Sequence, residues 1–326
     1  MGRDYTDAFL NYGMAFVGGE DQVGRMSQVE RGDIVLLKNG IKEVIAVGEV
    51  VERDGHHRGD GEKDEQRDWL LDFDGWNLQA YCFVRWHKPE EPLSVKGLTR
   101  GTISKVHIEH LHERADEVLS NTPPKTDYLP EPKPTSPVTD DEILEFLIRE
   151  GLRPGAAEEL TSTFRRIRLL AHYYYEQGSN FWSELREHET RTFLVVPLLL
   201  ALGWAEQQIK IEMPAGKRLR ADLGCFPGPY RGQKGEQPRL IIETKGFSQG
   251  LDYAPEQALG YAKHFSKCGT VAVTNGYCYK IYECGDVRPE ELQPVAYLNL
   301  LRPRDRYPLD PENVDGCLEA LKWLLP

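Results

Sequence analysis

The sequence predicts an α+β chain of two domains, a small β-barrel followed by a mixed α/β sheet flanked by helices. Three observations lead there. The chain has 326 residues, more than the roughly 100–200 of one typical domain. A proline-dense stretch divides it, with Pro123, Pro124, Pro130, Pro132, Pro134 and Pro137 close together. The hydrophobic pattern then changes, from short strand-like runs before the prolines to alternating helices and strands after them. The expected divisions are a barrel over 1–122, a linker over 123–138, a helical bridge over 139–182 and an α/β domain over 183–326.

Each element has a local reason. The run from Asp33 to Lys38, the pair Asn39-Gly40 and the run from Ile41 to Val51 read as a hairpin, because Asn-Gly accepts the positive φ of a tight turn. Leu78 to Trp86 reads as another strand. Gly55 to Arg67 is polar and rich in Gly and charge, and reads as a mobile loop. The proline segment lacks amide donors for a ladder or helix and reads as a semi-rigid extended spacer. Beyond it, Thr139 followed by Glu142 is a capping box opening a helix that ends at Gly151. Ala156 to Gln177 and Glu184 to Leu202 carry helical periodicity. Strands are expected over 219–223, 240–244, 270–274 and 277–282, with a helix from Ala254 to Phe265 between the second and third.

Composition limits the function. Hydrophobic residues are 40% and charged residues 28%, ordinary for a globular chain. The net charge of −12 argues against a protein that coats nucleic acid by charge alone. It leaves room for a compact site that reads or cuts nucleic acid. Most of the excess acid lies before the linker, and basic residues gather between Lys217 and Arg239. The longest apolar run, Phe193 to Trp204, contains Pro197 and Gly203 and is too short to span a bilayer. With no apolar signal core after Met1, a cytoplasmic chain without membrane contact is expected. The six cysteines form no Cys-x-x-Cys pair. His107, His110 and His112 are either a metal cluster or a polar face.

One group of residues carries chemistry. Asp222 closes one expected strand, and Glu243-Thr244-Lys245 ends the next. Side chains alternate along a strand, so Glu243 and Lys245 share a face, and Asp222 joins them if the strands pair. Two carboxylates make an oxygen-rich site suited to Mg²⁺, and a lysine beside them can orient or deprotonate the attacking water. Gln257 and Tyr261 lie one helical turn apart and face one side. Glu187 shares a helical stripe with Arg191, Leu194 and Leu198 and can add a third carboxylate. Glu189 is the competing acid.

In order, these residues resemble the PD-(D/E)XK nuclease superfamily. Residues 184–284 are most similar to the N-terminal nuclease domain of the type I restriction motor subunit. The resemblance rests on Glu187 with Thr190-Arg191, Pro197-Leu198-Leu199, Leu202-Gly203-Trp204 and Arg220-Ala221-Asp222. It continues through Ile242-Glu243-Thr244-Lys245, Gln257-x-x-x-Tyr261 and Thr274-Asn275-Gly276. The Gly/Pro-rich insertion between Asp222 and Glu243 is longer than the pattern implies. The resemblance implies a Mg²⁺-dependent phosphodiester hydrolase, with Mn²⁺ able to substitute. Asp222, Glu243, the Thr244 carbonyl and Glu187 would hold the metal. Lys245 would orient water, and Gln257 and Tyr261 would support the lysine or the scissile strand. Lys217, Arg218, Arg220, Arg231 and Lys234 would contact phosphates.

The N-terminal part resembles PUA-like modules of the EVE and YTH type. The resemblance rests on Phe16-Val-Gly-Gly, Arg31-Gly32-Asp33-Ile-Val-Leu-Leu and Ala46-Val-Gly48-Glu49-Val50-Val51. It implies a pocket for a flipped base, furnished by Phe16, Trp69, Trp76, Tyr81 and Trp86, with Asp74 or Asn11 reading a base edge. The joint expectation is a restriction-type endonuclease, a homodimer acting on duplex DNA that carries a modified base. The alternatives are a catalytically silent nucleic-acid-binding scaffold and an RNA-directed enzyme.

Overall fold

The computed structural model describes residues 5–99, 101–177, 186–216, 219–251, 254–284 and 293–326. The chain divides into two compact units, Asp4–Pro134 and Thr135–Pro326.

The first unit contains α1 (Thr6–Tyr12), β1 (Met14–Val17), α2 (Glu20–Met26), β2 (Ile34–Asn39), β3 (Glu43–Val50), β4 (Arg58–Asp60), a 3₁₀ segment over Glu65–Asp72, β5 (Ala80–His87), β6 (Leu93–Ser94) and α3 (Glu109–Asn121). The expected hairpin is present. β2 pairs antiparallel with β3, and Gly40 takes φ 63° in the turn. The expected barrel is not. The strands run β1-β5-β3-β2, with β4 added to β5 and β6 to β3, and among the described residues nothing joins β1 to β2. The reason lies in how the two faces are covered. Leu10 and Met26 from α1 and α2 pack with Ala46, Val50, Val84 and Trp86. Leu111, Ala115 and Val118 of α3 pack with Val44 and Val47. Helices therefore bury both faces, and the sheet need not curl on itself.

The polar excursion after Gly55 is also more ordered than its composition suggests. Arg58–Asp60 pairs with β5. Arg67, with its side chain 4% exposed, is gripped by Asp54, Asp64 and Glu131. A buried guanidinium requires such partners. Glu131 belongs to the proline segment, which is extended as expected but lies on this unit. Lys125 N–H donates to the Trp86 carbonyl (2.7 Å), Leu129 N–H to the Asn11 carbonyl (2.8 Å), and Trp86 N–H to the Tyr128 hydroxyl (3.1 Å).

The second unit contains α4 (Asp140–Arg149), α5 (Pro154–Gln177), α6 (Glu187–Thr190), a π-helical turn over Arg191–Val195, α7 (Val196–Ala201), a 3₁₀ turn over Glu206–Gln208, β7 (Ile209–Pro214), β8 (Arg220–Cys225), β9 (Leu240–Thr244), α8 (Ala254–Ala262), β10 (Thr270–Thr274), β11 (Cys278–Glu283), β12 (Ala296–Asn299) and α9 (Cys317–Trp323). The Thr139–Glu142 capping box opens α4 as expected. The sheet runs β12-β11-β10-β9-β8-β7. It is mixed: β9 and β10 are parallel, joined through α8, and the other pairs are antiparallel. The central strands are apolar on both faces because both are covered. Ile241, Ile242, Val271 and Val273 pack in one core with Ile143, Leu147, Phe164 and Ile167 of α4 and α5 and Leu194 and Leu198 above. No described helix is long and apolar enough to cross a membrane.

Candidate metal centre

The site forms where β8, β9 and α6 meet. β8 pairs with β9 through Leu223↔Ile242, so Asp222 and Glu243 are lateral neighbours on one face. α6 carries Glu187 to them. Its approach depends on Gly276, which takes φ 98° after β10. A Cβ there would stand 2.5 Å from Leu194 Cδ1 and 2.8 Å from Thr190 Cγ2. Glycine thus lets the helix sit against the turn. The rest of that turn is closed by side chains. Gly276 N–H donates to Thr274 Oγ1 (2.9 Å) and Cys278 N–H to Asn275 Oδ1 (3.0 Å).

Glu187, Asp222 and Glu243 each offer an oxygen, all within 4.8 Å of one another. Glu189 does not join them. Its Oε2 accepts the Arg186 N–H at 3.0 Å and caps the helix start. Asp222 Oδ2 accepts the Thr244 N–H and Oδ1 the Arg191 guanidinium, each at 2.7 Å. Lys245 Nζ donates to Glu243 Oε1 (2.8 Å) and Gln257 Oε1 (3.1 Å), and Gln257 Nε2 donates to the Tyr261 hydroxyl (2.7 Å). Glu243 is 2% exposed, and its second oxygen, Oε2, has no hydrogen-bond partner among the described residues. A buried carboxylate oxygen left unpaired is costly. A hard divalent cation held by oxygens satisfies it, so these residues fit Mg²⁺ or Mn²⁺.

The electrostatics agree with that fit. Burial, then the charge of Asp222, pushes the Glu243 carboxyl up to about 7 against the pull of Lys245. Burial and Asp222 likewise raise Glu187. Burial raises Asp222, although the Thr244 N–H and Arg191 oppose it. Burial pulls the Lys245 ammonium down, but the Glu243 hydrogen bond and the charges of Glu243, Glu187 and Asp222 outweigh it and leave it above its ordinary value. The carboxylates crowd one another and favour a cation, while Lys245 stays charged.

Two residues to which the sequence assigns no role belong here. Arg191, one helical turn after Glu187, bridges Asp222 and Glu212 Oε1, the latter at 2.8 Å. Glu212 lies on β7 with φ 52°. The signals for Arg191 are its place on the helical stripe and in the Thr190-Arg191 pair, neither of which gives it a role, and nothing in the residue type marks Glu212.

The proposed phosphate contacts separate. Arg220 lies close, its Nη1 donating to the Glu212 carbonyl at 3.2 Å. Arg231 and Lys234 lie in the loop joining the far ends of β8 and β9. Three strand residues separate those ends from Asp222 and Glu243, about 10 Å of rise. Lys217 and Arg218 lie outside the described residues.

In the first unit, Phe16, Trp69, Tyr81 and Trp86 are buried in the interior. The Phe16 and Trp69 rings meet edge to face at 6.1 Å. Trp86 Nε1 donates to the Phe9 carbonyl, and the Tyr81 hydroxyl to Asp64. Trp76 is half-buried and Asp74 buried. Asp74 and Gly75 both take positive φ between the bridged Phe73 and Trp76, forming a tight turn. Asn11 uses its carbonyl to hold Leu129. His110 and His112 bond the carbonyls of Lys96 and Val106 instead of converging, and among the described residues the acid trio is the cluster fit for a metal. Compared with protein-family models, curated proteins and solved structures, the chain matches none.

Proposed function

We propose that the chain is a Mg²⁺-dependent phosphodiester hydrolase of the PD-(D/E)XK type, acting on duplex DNA. The observation that carries the reading is the convergence of Glu187, Asp222 and Glu243 with Lys245 around the unpaired Glu243 Oε2. Glu187, Asp222 and Glu243 hold the divalent ion, with the Thr244 carbonyl a further candidate donor. When bound, that ion supplies Lewis-acid stabilisation of charge on the phosphoryl oxygens. Lys245 acts as an ammonium, orienting the attacking water and countering the charge that develops on phosphorus. Gln257 fixes the Lys245 head group, and Tyr261 fixes Gln257.

In this reading the first unit senses a modified base, and two copies of the chain cooperate to cut both strands. The test is digestion of DNAs differing solely in cytosine modification, with Mg²⁺ and with EDTA. Cleavage should require Mg²⁺ and fall below detection in Asp222→Ala and Lys245→Ala, with DNA binding retained. Undiminished cutting by either variant would falsify the assignment.

A further inference from the structure

Arg191 occupies an unusual place for a positive side chain. One nitrogen, Nη1, lies 2.7 Å from Asp222 Oδ1 and 2.8 Å from Glu212 Oε1. The side chain is 10% exposed, and it bridges two carboxylates from adjacent strands. Glu212 is held ready for this contact. β7 and β8 keep an unbroken register on both sides, through Ile211↔Leu223 and Met213↔Ala221, which places Glu212 opposite Asp222. At Glu212 alone the backbone turns left-handed, and its carbonyl takes a bond from Arg220.

From this geometry we infer that Arg191 is a built-in second cation, filling the position between Asp222 and Glu212 so that the centre takes one divalent ion per chain. The inference rests on the reading of the acid trio as a metal centre. Charge balance argues for it. Glu187, Glu212, Asp222 and Glu243 face Arg191 and Lys245, and the two negative charges left over are cancelled by one divalent ion. A second ion would bring uncompensated positive charge into a partly buried site. Arg191 does not compete for the first ion. A carboxylate has about four lone-pair sites, and the guanidinium takes one at Oδ1 while Thr244 N–H takes one at Oδ2. Arg191 is therefore a positioning residue: it fixes the Asp222 carboxylate and closes the neighbouring site.

The experiment counts ions. Mn²⁺ is titrated into the full chain at neutral pH, with the free ion followed by electron paramagnetic resonance and thermal unfolding confirming the fold. The wild type should bind one Mn²⁺ and Arg191→Ala two. Arg191→Lys, which keeps the charge, should return the count to one, as should Arg191→Ala combined with Glu212→Gln. If Arg191→Ala fails to fold, Arg191→Gln removes the charge with less loss of packing and should also bind two. Two ions in the wild type, one in a folded charge-removed variant, or a second ion that persists without Glu212 overturns the inference alone. No ion in the wild type overturns the metal-centre reading and this inference with it.

Discussion

Lys245 Nζ donates to Glu243 and Gln257, and the neighbouring carboxylates favour its ammonium form. Its support is the hydroxyl of Tyr261, reached through the Gln257 amide. Tyr261→Phe removes the acceptor of Gln257 Nε2 and loosens the chain behind the lysine. The expected outcome is a fall of about tenfold in kcat, the scale of one lost hydrogen bond, with an unchanged Mn²⁺ count. A normal kcat would show that Gln257 does not transmit position to Lys245. Glu243 gives a second prediction at this scale. Its folded pKa, raised to about 7, lies above the ordinary carboxylate value. Between those values the folded state binds the proton more tightly than the unfolded one, so stability is full at low pH and is lost as pH rises through about 7. With EDTA present, the melting temperature should fall from pH 5 to pH 8. Glu243→Gln should flatten that slope, and Mg²⁺ should restore stability at pH 8 by replacing the proton. A slope unchanged in Glu243→Gln would assign the pH dependence to other groups.

At the scale of elements, the centre depends on one strand pairing and one close approach. The pairing was legible: the apolar run before Glu243-Thr244-Lys245 and the position of Asp222 place both acids on neighbouring strands. The approach of α6 was legible in the stripe that Glu187 shares with Arg191, Leu194 and Leu198, but the need for glycine at 276 was not, because it arises from contacts with Leu194 and Thr190 across the fold. Gly276→Ala puts a methyl into Leu194 and Thr190 in a backbone region that suits glycine. The expected cost is about 1–3 kcal/mol, with a weaker affinity for Mn²⁺ as Glu187 is pushed away from Asp222. Unchanged affinity at lowered stability would mean that α6 shifts without carrying Glu187. Other parts were not legible, for physical reasons. β7 is an edge strand whose Ile211 is exposed and whose Glu212 is left-handed, so it breaks the alternation that marks a strand. In sequence the Trp69, Tyr81 and Trp86 side chains read alike as interior or as ligand pocket, and their burial is seen only in the structure.

At the scale of the whole molecule, the proline segment is where sequence and structure differ most. Its prolines forbid a helix or ladder, and the extended conformation follows. Yet an extended segment can still be fastened at the few residues that retain a backbone N–H donor or offer a side-chain acceptor. Lys125, Tyr128, Leu129 and Glu131 do this, and Glu131 completes the shell of a nearly buried Arg67. Thr135 begins the second unit, where Ser136 N–H donates to Asp305 Oδ1 (2.7 Å) and Val138 N–H to the Pro303 carbonyl (3.0 Å). Residues 123–131 therefore stabilise the first unit instead of only spacing it from the second. A fragment of residues 1–134 should be more stable to urea than one of residues 1–122 by about 2–4 kcal/mol. That is the sum of a few backbone hydrogen bonds and one partner of a buried ion-pair network. Glu131→Ala within the longer fragment should remove the part due to Arg67, leaving the backbone contacts in place. Coincident urea midpoints for the two fragments would return the segment to the role of a passive linker.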